Sequence, residues 1–245
     1  MIAKVIVFFV SLVHPFCCLA QMNSSNLPNN LHTLTKKAVI APFALIGYGF
    51  SVFKIGETQR FNEELREEIL ENFDDYFHSD DYLQYLPAVS ALSLSLFSPN
   101  QQAQFKRRSS IISISMLTMA SVVTTLKYTT RVRRPDGSSR NSFPSGHTAT
   151  AFAGAEFLRQ ELSGNSSWYA VTGYALAAGI GYFRMYNNRH WFTDVTAGAG
   201  IGILSTQLAY WWDSHRHQQT SNSRFLFFLP EWSRDTQRLR IVTQF

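Results

Sequence analysis

The 245-residue chain is 45% hydrophobic and 14% aromatic but only 16% charged, where an ordinary soluble domain carries about 25% charged residues. With a mean hydropathy of -0.09, this describes a hydrophobic helical body bearing polar loops and ends, at a length suited to one domain with its own core. A net charge of +5 suits anionic partners, but the basic residues fall into separate groups with no zinc finger, RNA-binding signature or heptad repeat beside them, which argues against nucleic acid.

In chain order, residues 1–20 read as a signal peptide. Lys4 gives a positive start, Val5 to Val13 an apolar stretch, and Cys18-Leu19-Ala20 a small-residue cleavage site. The alternative, a first membrane helix, has an apolar run short for spanning. Both cysteines, Cys17 and Cys18, lie in this leader. Cleavage after Ala20 would leave no thiolate for a disulfide or a metal.

Residues 21–37, rich in Asn, Ser and Pro, read as a loose lead-in. Ala38 to Phe53 is apolar and predicts a helix. Residues 57–81 predict one amphipathic helix, with Leu65, Ile69, Leu70 and Phe73 on one side and an acidic, solvated face opposite. Apolar segments follow at Leu86–Phe97, Ile111–Leu126, Thr148–Leu158, Trp168–Phe183 and Val195–Trp212, the later ones peppered with Gly, Ala and Ser as close helix packing requires. Residues 213–245 read as a polar C-terminal tail. The prediction is therefore all-α: a single helical bundle of about six main helices over residues 38–212, membrane-associated or partly membrane-embedded.

Depth in the membrane stays open at this level. Most apolar runs have 12 to 18 residues, short of the roughly 20 that cross a bilayer. Placing Lys106-Arg107-Arg108 inside by charge sends the Lys127 end outside and, counted backwards, puts the residues before Ala38 inside. That conflicts with a cleaved leader, so either 38–53 does not span or the leader stays.

Three clusters at the edges of apolar segments carry chemistry. Lys127 is followed by Arg134-Pro135; these cations either form a solvated basic face or membrane anchor, or bind phosphate oxygens, which Arg does two at a time. Pro144-Ser145-Gly146-His147 precedes an apolar helix. It is either an ordinary N-cap or an anion site built from helix-start N–H groups. Arg184, His190 and Asp194 form the third cluster. On a helix, His190 and Asp194 would share one face, so that Asp194 fixes the imidazole tautomer, as a structural pair or as the orienting arm of a nucleophile.

The three patterns occur in order, as K-x6-RP, PSGH and R-x5-H-x3-D. Together they resemble the type-2 phosphatidic acid phosphatase and vanadium haloperoxidase superfamily, over roughly Leu86 to Trp212. The third motif departs from the usual Ser-Arg start, with Phe183-Arg184 in its place. The resemblance implies a phosphatase that needs no metal and no cofactor. His190 would be its nucleophile, Asp194 its orienter and His147 its acid and base. Lys127, Arg134, Ser145, Gly146 and Arg184 would hold the phosphate.

Hydrophobic flanks favour a lipid phosphate as substrate and the membrane as partner: undecaprenyl pyrophosphate, phosphatidylglycerophosphate, phosphatidate or lipid A. The leader implies export to the periplasmic face of a bacterial membrane. A soluble periplasmic acid phosphatase is the alternative, ahead of a vanadate-dependent haloperoxidase and of a non-catalytic lipid-binding scaffold.

Overall fold

The computed structural model describes residues 36–71, 80–95, 101–162, 166–221, 225–233 and 236–244. The expected signal peptide and nearly all of the lead-in lie outside the described residues. Eight helices follow one another: α1 (Lys36–Ser51), α2 (Gly56–Leu70), α3 (Asp80–Leu83), α4 (Leu86–Ser95), α5 (Gln101–Thr130), α6 (Gly146–Leu162), α7 (Trp168–Tyr186) and α8 (Phe192–Ser221). The body is all-α, as expected. Among the described residues it has seven helices of ten residues or more where about six were expected, with α3 as a single turn.

The predicted helix over 57–81 is not continuous: α2 ends at Leu70 with Glu71 as its C-cap, and Asp80–Leu83 form a separate helical turn, while residues 72–79 lie outside the described residues. Helix α8 runs through Asp213, where Arg107 Nε on α5 donates to Asp213 Oδ2 at 2.7 Å. Residues 225–233 and 236–244 pair as two antiparallel strands, from Phe225 opposite Gln244 to Ser233 opposite Thr236.

Helix α8 is the axis of the body, packed against α1, α5 and α6, while α7 lies on α6. Small side chains let these backbones touch. A Cβ on Gly198 would stand 2.5 Å from the Ser145 carbonyl oxygen on the α6 side, and one on Gly200 would stand 2.5 Å from the Pro42 carbonyl oxygen on α1. Ala151, Ala155, Tyr174, Ala177, Ile180, Ala199 and Ile203 fill the space between α6, α7 and α8. Each large side chain so buried contributes about 1.5–3 kcal/mol.

Glu156, fully buried on α6, is matched by donors. Arg159 reaches it with two bonds of 2.7 Å and the Tyr174 hydroxyl with one of 2.5 Å, so its charge is not left unpaired in the core.

Two surfaces differ from this core. Helix α5 is long and apolar enough over Gln104–Thr130 to cross a bilayer, and most of that stretch is not covered by the rest of the chain. Helices α1 and α2 meet at a 90° bend. The α2 stripe turned inward is Thr58, Asn62, Leu65 and Ile69, so two of its four inner positions are polar.

Candidate active site

The site forms where three chain connections meet at one end of the body. Lys127 lies in the last turn of α5, and its Nζ donates to the Asn141 carbonyl at 2.5 Å, which ties the helix end to the loop that follows. In that loop the Arg134 N–H donates to Ser139 O and its carbonyl accepts from Gly137 N–H, both at 3.0 Å. Gly137 takes a φ of 74°, a conformation that glycine adopts without strain. Asp136 then crosses to the α7–α8 connection, its N–H donating to Asn188 O at 3.1 Å and its carboxylate accepting from Arg189 at 3.1 Å.

Ser145 caps α6. Its Oγ accepts from the Thr148 N–H at 3.4 Å and pairs with Thr148 Oγ1 at 2.8 Å, the N-cap to N3 arrangement. The hydroxyl expected to hold phosphate is thus engaged in starting the helix. Gly146 and His147 are the first two residues of α6, where N–H groups have no acceptor within the helix and favour an anion. The Ser145 N–H donates to the Asp194 carbonyl at 3.0 Å, which joins the starts of α6 and α8.

Asp194 lies in the first turn of α8. Its Oδ2 accepts from the Trp191 N–H at 2.9 Å and from the Ser142 hydroxyl, a side chain reaching back over its own helix start. The same oxygen lies 3.5 Å from His190 Nδ1. This corrects the expected geometry, because His190 is not on a helix. It sits in the turn before α8, and the pair meets because Asp194 folds back toward that turn.

His190 is 3% exposed. Burial pushes its imidazole down to about 4; Asp194 opposes this, while Lys127 and Arg184 add to it. The ring is therefore neutral at ordinary pH, with Nδ1 turned to Asp194 and Nε2 left to react.

Three cations surround this pair. Lys127, Arg134 and Arg184 lie within Coulombic reach of one another; Asp194 offsets Lys127, and Asp136 and then Asp194 offset Arg134. Arg184, buried in the last turn of α7, accepts the His190 N–H on its carbonyl at 3.3 Å. Its guanidinium lies 3.4 Å from Asp81 Oδ1 on α3, and that oxygen also stands 2.8 Å from His147 Nε2. A single carboxylate oxygen thus bridges His147 and Arg184. The structure brings all eight residues expected from the sequence into one cluster.

Sequence reasoning missed Asp81, Ser142 and two residues of α2. Asp81 belongs to a stretch read as a solvated acidic face, and Ser142 matches no spacing. Asn62 and Arg66 were passed over inside the charged helix, although Asn62 shares the helical face of Leu65 and Ile69, which was a usable signal.

Residues 109–218 match the model of the PAP2 superfamily. The chain is 40% identical over 138 residues to a lipid A 1-phosphatase of Porphyromonas gingivalis, a match that covers 55% of this chain and 31% of that relative. The chain therefore spans about a third of that relative's length. Among solved structures it resembles Aquifex aeolicus LpxE, with 25% identity, a TM-score of 0.48, and coverage of 61% of this chain and 94% of that one. It also resembles a transmembrane PAP2-type phosphatidylglycerolphosphate phosphatase from Bacillus subtilis, with 19% identity, a TM-score of 0.46, and coverage of 77% and 98%. All three motifs, from Lys127 to Asp194, lie inside the matched residues, so the stretch 109–218 that carries this site is similar to the PAP2 superfamily.

Proposed function

We propose that this protein is a phosphatase acting on a lipid phosphate through a phosphohistidine on His190, with its site on the periplasmic face of a bacterial membrane. The observation that carries the chemistry is the buried His190, with Asp194 Oδ2 3.5 Å from its Nδ1 and with Lys127, Arg134 and Arg184 around it.

In the first step Nε2 of His190 forms a bond to phosphorus while the bond from phosphorus to the departing oxygen breaks. His147 gives that oxygen its proton. In the second step His147 takes a proton from water, whose oxygen bonds to phosphorus as the P–N bond breaks and orthophosphate leaves. Lys127, Arg134, Arg184 and the N–H groups of Gly146 and His147 meet the equatorial oxygens, where charge concentrates in the transition state. The entering phosphate takes the place that Asp81 Oδ1 holds between His147 and Arg184. Side chains supply the positive charge, so the reaction needs no metal.

Membrane features support a lipid as the substrate. The uncovered α5 passes directly into the site at Lys127, and Leu117 and Tyr128 on it are 69% and 75% exposed. Trp168 is 73% exposed at the end of α7 opposite Arg184, an aromatic placement suited to a membrane interface. The relative named lipid A 1-phosphatase makes lipid A the first candidate, ahead of undecaprenyl pyrophosphate, phosphatidylglycerophosphate and phosphatidate.

The test is phosphate release by the full chain in detergent with EDTA present, on lipid A, the other lipid phosphates and a small soluble phosphomonoester, with His190→Ala in parallel. Turnover of lipid A that resists the chelator and vanishes in the variant is expected. Preference for the soluble ester would move the protein to the acid-phosphatase branch, and a fully active His190→Ala would end the phosphohistidine reading.

A further inference from the structure

The turn that carries His190 is gripped by a helix that takes no part in the phosphoryl chemistry. Asn62 and Arg66 stand four apart on α2, so they share one face. Asn62 Nδ2 donates to Thr193 Oγ1 at 2.9 Å, and Asn62 Oδ1 accepts from the Thr193 N–H at 3.3 Å. Both residues are buried, at 5% and 1% exposure. Arg66 Nε donates to Asn188 Oδ1 at 2.8 Å. The two contacts bracket the segment 188–193, with His190 inside it and Asp194 immediately after.

Each contact does something that apolar packing would not. The Thr193 N–H belongs to the first turn of α8, where the helix offers no acceptor, and the Asn62 carbonyl supplies one from a different helix. The reciprocal amide pairing also fixes direction, because both ends of the Asn62 side chain are committed. Asn188 has a φ of 56°, left-handed backbone that Asn tolerates better than most residues. Its side chain is held by Arg66 while its carbonyl accepts from Asp136. The turn is therefore pinned from α2 on one side and from the Arg134 loop on the other.

We propose that Asn62 and Arg66 are positioning residues for phosphoryl transfer: they hold the 188–193 turn so that His190 Nε2 stays in line with phosphorus while Nδ1 stays on Asp194. The inference rests on His190 being the nucleophile.

The experiment is a double-mutant cycle on kcat with the full chain in detergent, using Arg66→Ala and Asn188→Gly. Glycine accepts the positive φ without strain and deletes the acceptor, though it also loosens the turn. The coupling between the two variants, more than the single loss in Asn188→Gly, is therefore what reports on the bond. Because a misplacement of about 1 Å costs up to about 100-fold, each single variant is expected to lower kcat by about 10-fold with KM little changed. The double variant should be no slower than the slower single one, since both changes delete the same bond. Arg66→Lys keeps a donor and should recover part of the loss, and Asn62→Ala should lower kcat in the same way.

Wild-type kcat in Arg66→Ala and Asn188→Gly, beside a silent His190→Ala, would overturn the clamp alone. Additive losses in the double variant would overturn it as well. Turnover by His190→Ala would remove the nucleophile and the purpose of the clamp together. Arg66 and Asn188 are only half-buried, so the cycle decides the matter even if Asn62→Ala does not fold.

Discussion

Replacing Asp194 by Asn removes a charge while keeping a shape. Oδ2 is the oxygen that works: it accepts from Ser142 and Trp191 and lies 3.5 Å from His190 Nδ1. Oδ1 is buried and makes no hydrogen bond. The amide oxygen of Asn would take the place of Oδ2, because two donors point there, and its NH2 would take that of Oδ1. The fold should hold. On the proposed mechanism, what disappears is the negative charge beside an imidazole that turns cationic when Nε2 bonds to phosphorus. At 3.5 Å and an effective dielectric constant of about 20, that attraction is about 5 kcal/mol, or between three and four powers of ten in rate. The assay is single-turnover phosphate release, compared with wild type at matched melting temperature. A loss below about tenfold in a folded variant would refute the assigned role of Asp194, since Coulomb attraction at this distance permits no such small effect.

Two further outcomes follow from burial and packing. Because His190 is held neutral down to about pH 4 against an ordinary value of 6.5, the acid limb of kcat/KM, which reports the free enzyme, should fall near 4; a limb at 6.5 would mean that the ring is solvated. The same depression links to stability. Between pH 6.5 and 4 the unfolded chain binds a proton that the folded chain refuses, so stability falls as pH drops through that window, by at most about 3 kcal/mol. Below 4 the loss is complete, and in His190→Asn this part of the slope should be missing from denaturant midpoints. Gly198→Ala would place a methyl 2.5 Å from the Ser145 carbonyl, backbone that has little freedom to yield, at about 1–3 kcal/mol. Its melting temperature and kcat should both fall, whereas Gly179→Ala meets nothing within 4 Å and should melt no lower than wild type.

The residues that cluster at the candidate site were legible because they stand as residue types at fixed spacings. Lys127, Arg134, His147, Arg184, His190 and Asp194 each had a motif to stand in, and apolar runs located most of the helices. The spacing of His190 and Asp194 was read correctly for the wrong local structure, since four residues close up over a turn before a helix as well as along one. Asp81 was invisible because an acidic run gives no sign of which carboxylate turns inward. Asn62 was hidden by a method that looks for apolar residues on the buried stripe. The last turns of α8, with His215 and Arg216, carry no apolar signal, so the helix outran its predicted end. The two paired strands were missed because only Phe225 to Leu229 stands out from a tail whose remaining residues read as polar.

Where these residues meet explains why activity and stability should respond together here. Helix α8 presents Asp194 in its first turn and Gly198 one turn later, and both meet Ser145: Asp194 through its carbonyl, Gly198 by lacking a side chain. The contact that lets α8 approach α6 is therefore the contact that sets the helix-start N–H groups of Gly146 and His147 relative to His190. An anion site made of helix termini has no flexible side chain to absorb a shift between helices. A displacement of α8 against α6 moves the proposed nucleophile, His190, and the helix-start N–H groups of Gly146 and His147 apart. Small residues at this crossing are thus part of the active-site geometry as well as of the packing, and their enlargement should cost rate before it costs the fold.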